Sequence, residues 1–350
     1  MRGHSTAFNI EGNKALKFKE IGEFGFIDSI KEECITSLKG VIKGIGDDCA
    51  VFGPYSGRVL LFTTDMLVED IHFLRDKISP YQLGRKAIAV NLSDIAAMGG
   101  RPLYCLISLG IPVQMNVELI QDLYKGMKDV CKHYRVNIVG GDTVGSPDKF
   151  IINVSLIGDA KEDEVIYRSG ARPGDKIYLT GSVGDSSVGL KILKNEISPP
   201  RSMGSYFLKV HNEPNALIET GRIIATSRLA SSMIDLSDGL LSDLGHICKE
   251  SSVGALLIRS KIPLSSELKL LASRASFNPL DHALSGGEDY LLLLTVPEAR
   301  SQDLELLFKD KRPSPLYLIG EIRKEEGIRM LNDNGSVEEL GPKGFNHFIS

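Results

Sequence analysis

Two rhythms of apolar residues set out the elements of the chain. Residues 59–63, 104–109 and 149–156 are short runs rich in β-branched and apolar side chains, the pattern of strands. Two longer stretches lie between them. Residues 81–98 are apolar on nearly every face (Leu83, Ala87, Ile88, Val90, Leu92, Ile95), which predicts a helix enclosed by protein. Residues 117–135 carry Leu119, Leu123, Met127 and Val130 at helical spacing with charges opposite, which predicts an amphipathic helix. A short mixed helix over 22–39 leads into this half.

Around residues 157–172 the pattern turns polar, and Gly170-Ala171-Arg172-Pro173-Gly174-Asp175 is a turn signal ahead of a strand at 176–180. The second half repeats the alternation, with helices predicted at 187–194, 214–226 and 240–249 and strands at 256–259 and 290–296. Strands and helices mix without a strict βαβ rhythm, so the expected fold class is α+β. Asn91-Leu92-Ser93-Asp94 is echoed by Asp235-Leu236-Ser237-Asp238, and Gly140-Gly141-Asp142 by Gly286-Gly287-Glu288-Asp289, a hint of duplication.

Length changes the picture by requiring more than one core: 350 residues suit two domains, expected at 21–160 and 161–350 after a polar lead-in at 1–20. Forty-one basic against 45 acidic residues, with no long basic block, argue against a nucleic-acid partner. The five cysteines form no C-x-x-C pair and suit a reducing compartment, so the cytoplasm is expected. No apolar run is long enough for a membrane span.

The candidate chemistry lies in the carboxylates. Gly44-Ile45-Gly46-Asp47-Asp48 puts two of them in a glycine-rich loop, and Thr63-Thr64-Asp65 presents hydroxyls and a carboxylate where an apolar strand ends. Oxygen ligands of this kind are what hard divalent cations prefer. Asp94 sits inside the most apolar helix, where an ionised carboxylate costs several kcal/mol without a charged or metal partner. Lys86 is one candidate partner. Gly140-Gly141-Asp142-Thr143, after the apolar Ile138-Val139, predicts a carboxylate presented by a loop at a strand end, and Asp235-Leu236-Ser237-Asp238-Gly239 repeats the arrangement ahead of a helix. Such acids can share a cleft only if cations offset them, and magnesium with the phosphates of a nucleotide is the simplest solution. No EF-hand run and no G-x-x-x-x-G-K-[ST] loop is present, so any nucleotide site is of another kind. The small-residue stretch 180–187 could face an anion with its amides, and Arg168 could reach a phosphate.

Taken in order, these strings, with His72-Phe73, the run 89–99, Ile234 to Leu240 and Leu284-Ser285-Gly286-Gly287-Glu288-Asp289-Tyr290, resemble the thiamine-monophosphate kinase family from about residue 22 onward. The resemblance implies two domains of the aminoimidazole-ribonucleotide-synthetase type. The amino-terminal domain would bind ATP and magnesium and pair sheets across a homodimer, and the carboxy-terminal domain would complete the cleft. It implies phosphoryl transfer from ATP to thiamine monophosphate with several Mg2+ ions. By the same resemblance Asp48, Thr63, Thr64, Asp65, Asp94, Asp142, Asp235 and Asp238 would bind metal. Tyr124, Gly141, Asp142, Arg168 and Ser237 would contact ATP, and His72, Glu288 and Phe345 would hold the thiamine part. Val144, Gly145 and Leu291 depart from the family pattern. The alternatives are another ATP-dependent enzyme of the same superfamily and a non-catalytic metal- or nucleotide-binding module.

Overall fold

The computed structural model describes residues 18–341, 344 and 345. Most of the expected lead-in lies outside them, as do Asn346, His347 and Phe348. Residues 18–37 belong to a small unit of their own, in which helix α1 (Phe18–Ile30) is kinked at Gly22, where φ is 64°.

In the main unit, the first sheet is built from β1 (Val41–Lys43), β2 (Ala50–Tyr55), β3 (Arg58–Val68), β4 (Arg101–Pro112), β5 (Asn137–Ser146) and β6 (Ile151–Lys161). Their order is β1-β2-β3-β6-β4-β5, antiparallel except for the β4–β5 pair. Helices α2 (Pro80–Ala97) and α3 (Val117–Tyr134) accompany this sheet. Both match the sequence expectation, α2 from its all-round apolar run and α3 from its helical spacing. Ser79 and Gln82 form a reciprocal capping box that starts α2, with Pro80 at its first position. The two helices cross at glycines: a Cβ on Gly84 would stand 2.0 Å from the Leu123 carbonyl oxygen, and one on Gly126 1.9 Å from that of Tyr81.

The second sheet contains β7 (Lys176–Leu179), β8 (Ser232–Asp235), β9 (Gly254–Ile258), β10 (Leu292–Val296), β11 (Tyr317–Arg323), β12 (Gly327–Leu331) and β13 (Val337–Leu340), in the order β13-β12-β9-β11-β7-β10-β8. Around it lie α4 (Asp185–Leu193), α5 (Arg201–Asn212), α6 (Ile218–Ser227), α7 (Leu240–Ser251), α8 (Ser266–Ala275), α9 (Pro279–Ser285) and α10 (Glu298–Lys311). The α+β class expected from the sequence is what the chain adopts.

Helix α2 is the structural pivot. It packs on α3, α6, β3, β6 and β8, and its Leu92 and Ile95 share one hydrophobic core with Met233, Leu292 and Leu294 of the second sheet. This explains why α2 is apolar all round: neither side faces water. It also means that any polar group on α2 is presented to an interior.

Two expectations about local structure are corrected. Thr63-Thr64-Asp65 does not end its strand, because β3 continues to Val68 in register with β6. Gly140-Gly141-Asp142-Thr143 is not a loop but the middle of β5, paired in parallel with residues 106–109 of β4.

Candidate active site

Alternation along β3 decides which of its polar residues can meet α2. Thr63 is buried and Asp65 half-buried on the face shared with Leu61 and Leu67, while Thr64 is exposed on the other face with Phe62 and Met66. The Thr63 hydroxyl donates to Asp94 Oδ2, and the backbone N–H of Asp65 donates to Asn91 Oδ1 at 3.1 Å. Asn91 is held in turn by the Ala87 carbonyl oxygen. Asp235, the last residue of β8, and Asp48, from the glycine-rich loop, come to the same place. One carboxylate oxygen from each of Asp48, Asp94 and Asp235 lies within 4.8 Å of the others.

The electrostatics show how strained this gathering is. Burial, then the charges of Asp65, Asp235 and Asp48, push the Asp94 carboxyl well above its ordinary value, and the Thr63 hydrogen bond opposes them only in part. Burial and Asp48 raise Asp235 to about 8, against Ser93 and Arg168, and burial raises Asp65 to about 6. Among the described residues Arg168 is the cation that pairs with Asp48: its Nε and Nη2 donate to Asp48 Oδ1 at 3.0 and 2.5 Å, and its backbone N–H donates to Asp47 Oδ1 at 3.2 Å. Even so, Asp48 Oδ2 and Asp235 Oδ2 are buried with no hydrogen-bond partner among the described residues. Orphaned carboxylate oxygens are costly. Opposite oxygens around magnesium stand roughly 4.2 Å apart, so a divalent cation fits both the donor chemistry and the spacing.

Asp238 belongs to a neighbouring group. It shares a second cluster with Asp243 and His246, their ligand atoms again within 4.8 Å. Asp243, which no motif above includes, accepts the backbone N–H groups of Asp238 and Gly239 and so ties the acidic loop to the first turn of α7. Its signal was that it is the third aspartate of 235–243, one helical turn into α7 and next to Leu240, Leu241 and Leu244. Ser237 uses its carbonyl oxygen to accept the Glu288 N–H at 2.7 Å. Phe345 donates its N–H to the Asp238 carbonyl oxygen at 3.0 Å, so the end of the described chain runs over this loop.

Glu288 lies in the left-handed region, at φ 64°, in a turn held against 236–237. Its Oε2 accepts from Lys86 Nζ at 3.0 Å. Lys86 therefore pairs with Glu288 and not with Asp94, contrary to the candidate pairing above. His72, whose Nδ1 accepts the Val68 N–H, lies near enough to act electrostatically on Glu288.

The remaining expected residues stand apart. Asp142 is exposed on the row Met66–Asn153–Ser108–Asp142, on the open face of the first sheet, and accepts only its neighbour's N–H. Thr64 also faces that side, bonded to Ser155 and the Val154 carbonyl oxygen. Within the single chain, neither side chain joins the Asp48–Asp94–Asp235 group. Tyr124, on α3, lies near Cys105, and Gly141 approaches Ile107, both beside β4. In the 180–187 stretch the Gly184 amide is taken by Asp289 Oδ2 at 2.9 Å, so it answers an internal anion. Leu291 packs on the second core against Gly181, which accounts for an apolar residue there.

Two sheets flanked by helices, with acids converging on α2, define a class. The family model "AIR synthase related protein, N-terminal domain" matches residues 46–160, and "AIR synthase related protein, C-terminal domain" matches 172–331. The thiamine-monophosphate kinase of Aquifex aeolicus is 38% identical over 334 residues, covering 95% of this chain and 100% of that protein. That of Escherichia coli K12 is 38% identical over 331 residues, covering 94% and 99%. The solved structure of AaThiL complexed with AMPPCP and TMP superposes with a TM-score of 0.84 at 36% identity, covering 96% of this chain and 100% of that one. The chain belongs to the thiamine-monophosphate kinases, a family of enzymes.

Proposed function

We propose that this chain transfers the γ-phosphoryl group of ATP to the phosphate of thiamine monophosphate, giving thiamine diphosphate, in one in-line step with several Mg2+ ions. The observation that carries the reading is the convergence of Asp48, Asp94 and Asp235 with two buried carboxylate oxygens lacking partners. Asp48, Asp65, Asp94 and Asp235 would hold the metal, with Thr63 and Arg168 fixing two of them. Bound there, magnesium would neutralise phosphate charge and orient the transferred group. The acceptor is already an anion at neutral pH, so the residues need to supply alignment more than proton removal. Glu288, His72 and Phe345 would take the thiamine end, and Ser237 and Arg168 would lie nearest the nucleotide phosphates. Inversion at the transferred phosphorus would support a single displacement; retention would contradict it.

The open face of the first sheet supports a homodimer. Leu60, Phe62, Met66, Tyr104 and Leu106 are all exposed on it, an apolar patch of the kind that marks an interface. Among the described residues no helix is long and apolar enough to cross a membrane, and a cytoplasmic enzyme is the corresponding proposal.

The test is ATP consumption with thiamine monophosphate or free thiamine as acceptor. Turnover is expected with the phosphate alone, and Asp94→Asn should lower kcat by about two orders of magnitude or more. ATP binding without any acceptor-dependent turnover would instead mean a non-catalytic module.

A further inference from the structure

A second charge system lies beside the acidic group. Lys86, in the middle of α2, has no exposed surface, and an unpaired ammonium there would cost several kcal/mol. Its partner comes from 202 residues away: Glu288 Oε2, at 3.0 Å. The same oxygen lies 3.1 Å from His211 Nδ1 of α5, which is also 3.0 Å from Ser186 Oγ. Burial, helped by Lys86, drives His211 down to about 4, so the ring is neutral at physiological pH and acts as a hydrogen-bonding group. Burial alone would lift the Glu288 carboxyl; the charge and hydrogen bond of Lys86 are chief among the effects that hold it below its ordinary value.

The backbone is equally fixed. Glu288 and Tyr290 both have positive φ, and their N–H groups are tied to Ser237 and Leu236. A Cβ on Gly287 would stand 2.6 Å from the Ser237 carbonyl oxygen, so only glycine lets the turn lie so close. The pair is neutral overall but its ends differ in access. The Lys86 side chain is 1% exposed and that of Glu288 23%, so the negative end is the one a ligand meets. With Oε2 occupied, Oε1 accepts no hydrogen bond among the described residues.

We propose that Lys86 and His211 are positioning residues for charge selection: by holding Glu288 Oε2 they present Oε1 as a fixed counter-ion to a cationic ring on the phosphorylated acceptor. This rests on the acceptor site proposed above. The ion pair thus links α2, which carries Asp94, to the recognition of the acceptor's far end.

The experiment is calorimetric binding to the purified full chain. Thiamine monophosphate is compared with the phosphate ester of the corresponding neutral thiazole alcohol, and AMPPCP is the control. The wild type should prefer the cationic ester by at least about tenfold. Lys86→Met and Glu288→Gln should each bring that preference to within about twofold, with AMPPCP affinity held. The Lys86→Met/Glu288→Gln double variant should be no less selective than Glu288→Gln alone, because residues that act through one another are not additive. His211→Ala should shift the preference in the same direction by less, and decides the matter if Lys86→Met does not fold. Retained preference in Lys86→Met, or in His211→Ala where that variant decides, overturns the proposal, as does a parallel loss of affinity for ester and AMPPCP. A wild type that binds neither ester overturns the acceptor-site reading and this inference with it; one that binds both equally overturns the inference alone.

Discussion

Asp94 shows what a single residue reveals and what it conceals. Its place in an all-apolar helix was enough to say that it needed a partner. Which partner could not be read, because Thr63, Asp48 and Asp235 reach it only through the tertiary fold. Lys86 illustrates the same limit, being two turns away on one helix yet committed to Glu288 in a distant loop. Thr63 and Thr64 stand side by side in the sequence, but adjacent strand residues face opposite ways, so within the single chain only Thr63 reaches Asp94. Asp235 carries a prediction about pH. Its carboxyl titrates near 8 in the folded chain, far above its ordinary value, so between about pH 4 and 8 folding takes up a proton and stability falls as pH rises. Thermal melts of metal-free protein should therefore show Tm declining from pH 5.5 to pH 8, and Asp235→Asn should flatten the decline. A Tm that climbs across that range would count against the buried cluster.

At the scale of elements, α3 was legible because its rhythm is strong, α2 because it is apolar on nearly every face over a helix's length, and β4 and β6 because their apolar runs are continuous. β5 was read as a loop because its residues are glycine-rich and almost wholly exposed, so burial left no pattern to see. β3 was read as too short for a related reason: beyond Phe62 its buried face turns polar where it meets Asp94 and Asn91. Strands β11, β12 and β13 and helices α8 to α10 were not read at all. The α2–α3 crossing rests on Gly84 and Gly126, each facing a carbonyl oxygen at a distance no Cβ tolerates. Gly84→Ala or Gly126→Ala must push the helices apart, and each should destabilise the protein by about 3 kcal/mol, measured by urea unfolding. Because α2 also carries Asp94 and Lys86, activity should fall even in the fraction that stays folded. Wild-type stability in both variants would mean that the helices are not in contact there.

The main unit holds two sheets with one helix packed on both; the absence of a polar face on that helix says that it is enclosed, and only the fold says by what. The open face of the first sheet is a property no local pattern displays, since its apolar residues on β3 and β4 alternate with core residues. If a second copy covers it, Phe62→Asp with Tyr104→Asp should convert a dimer to a monomer in analytical ultracentrifugation, while a monomeric wild type would remove the argument. The account as a whole depends on Asp48, Asp94 and Asp235 being a cation site. The most direct measurement is calorimetric Mg2+ titration at pH 7, with AMPPCP present, in two buffers of different ionisation enthalpy. Since burial and mutual repulsion push the Asp94 carboxyl well above its ordinary value and raise Asp235 to about 8, binding should release protons, and Asp235→Asn should both weaken binding and reduce that release. Binding without proton release, or an Asp235→Asn protein that takes up Mg2+ as the wild type does, would contradict it.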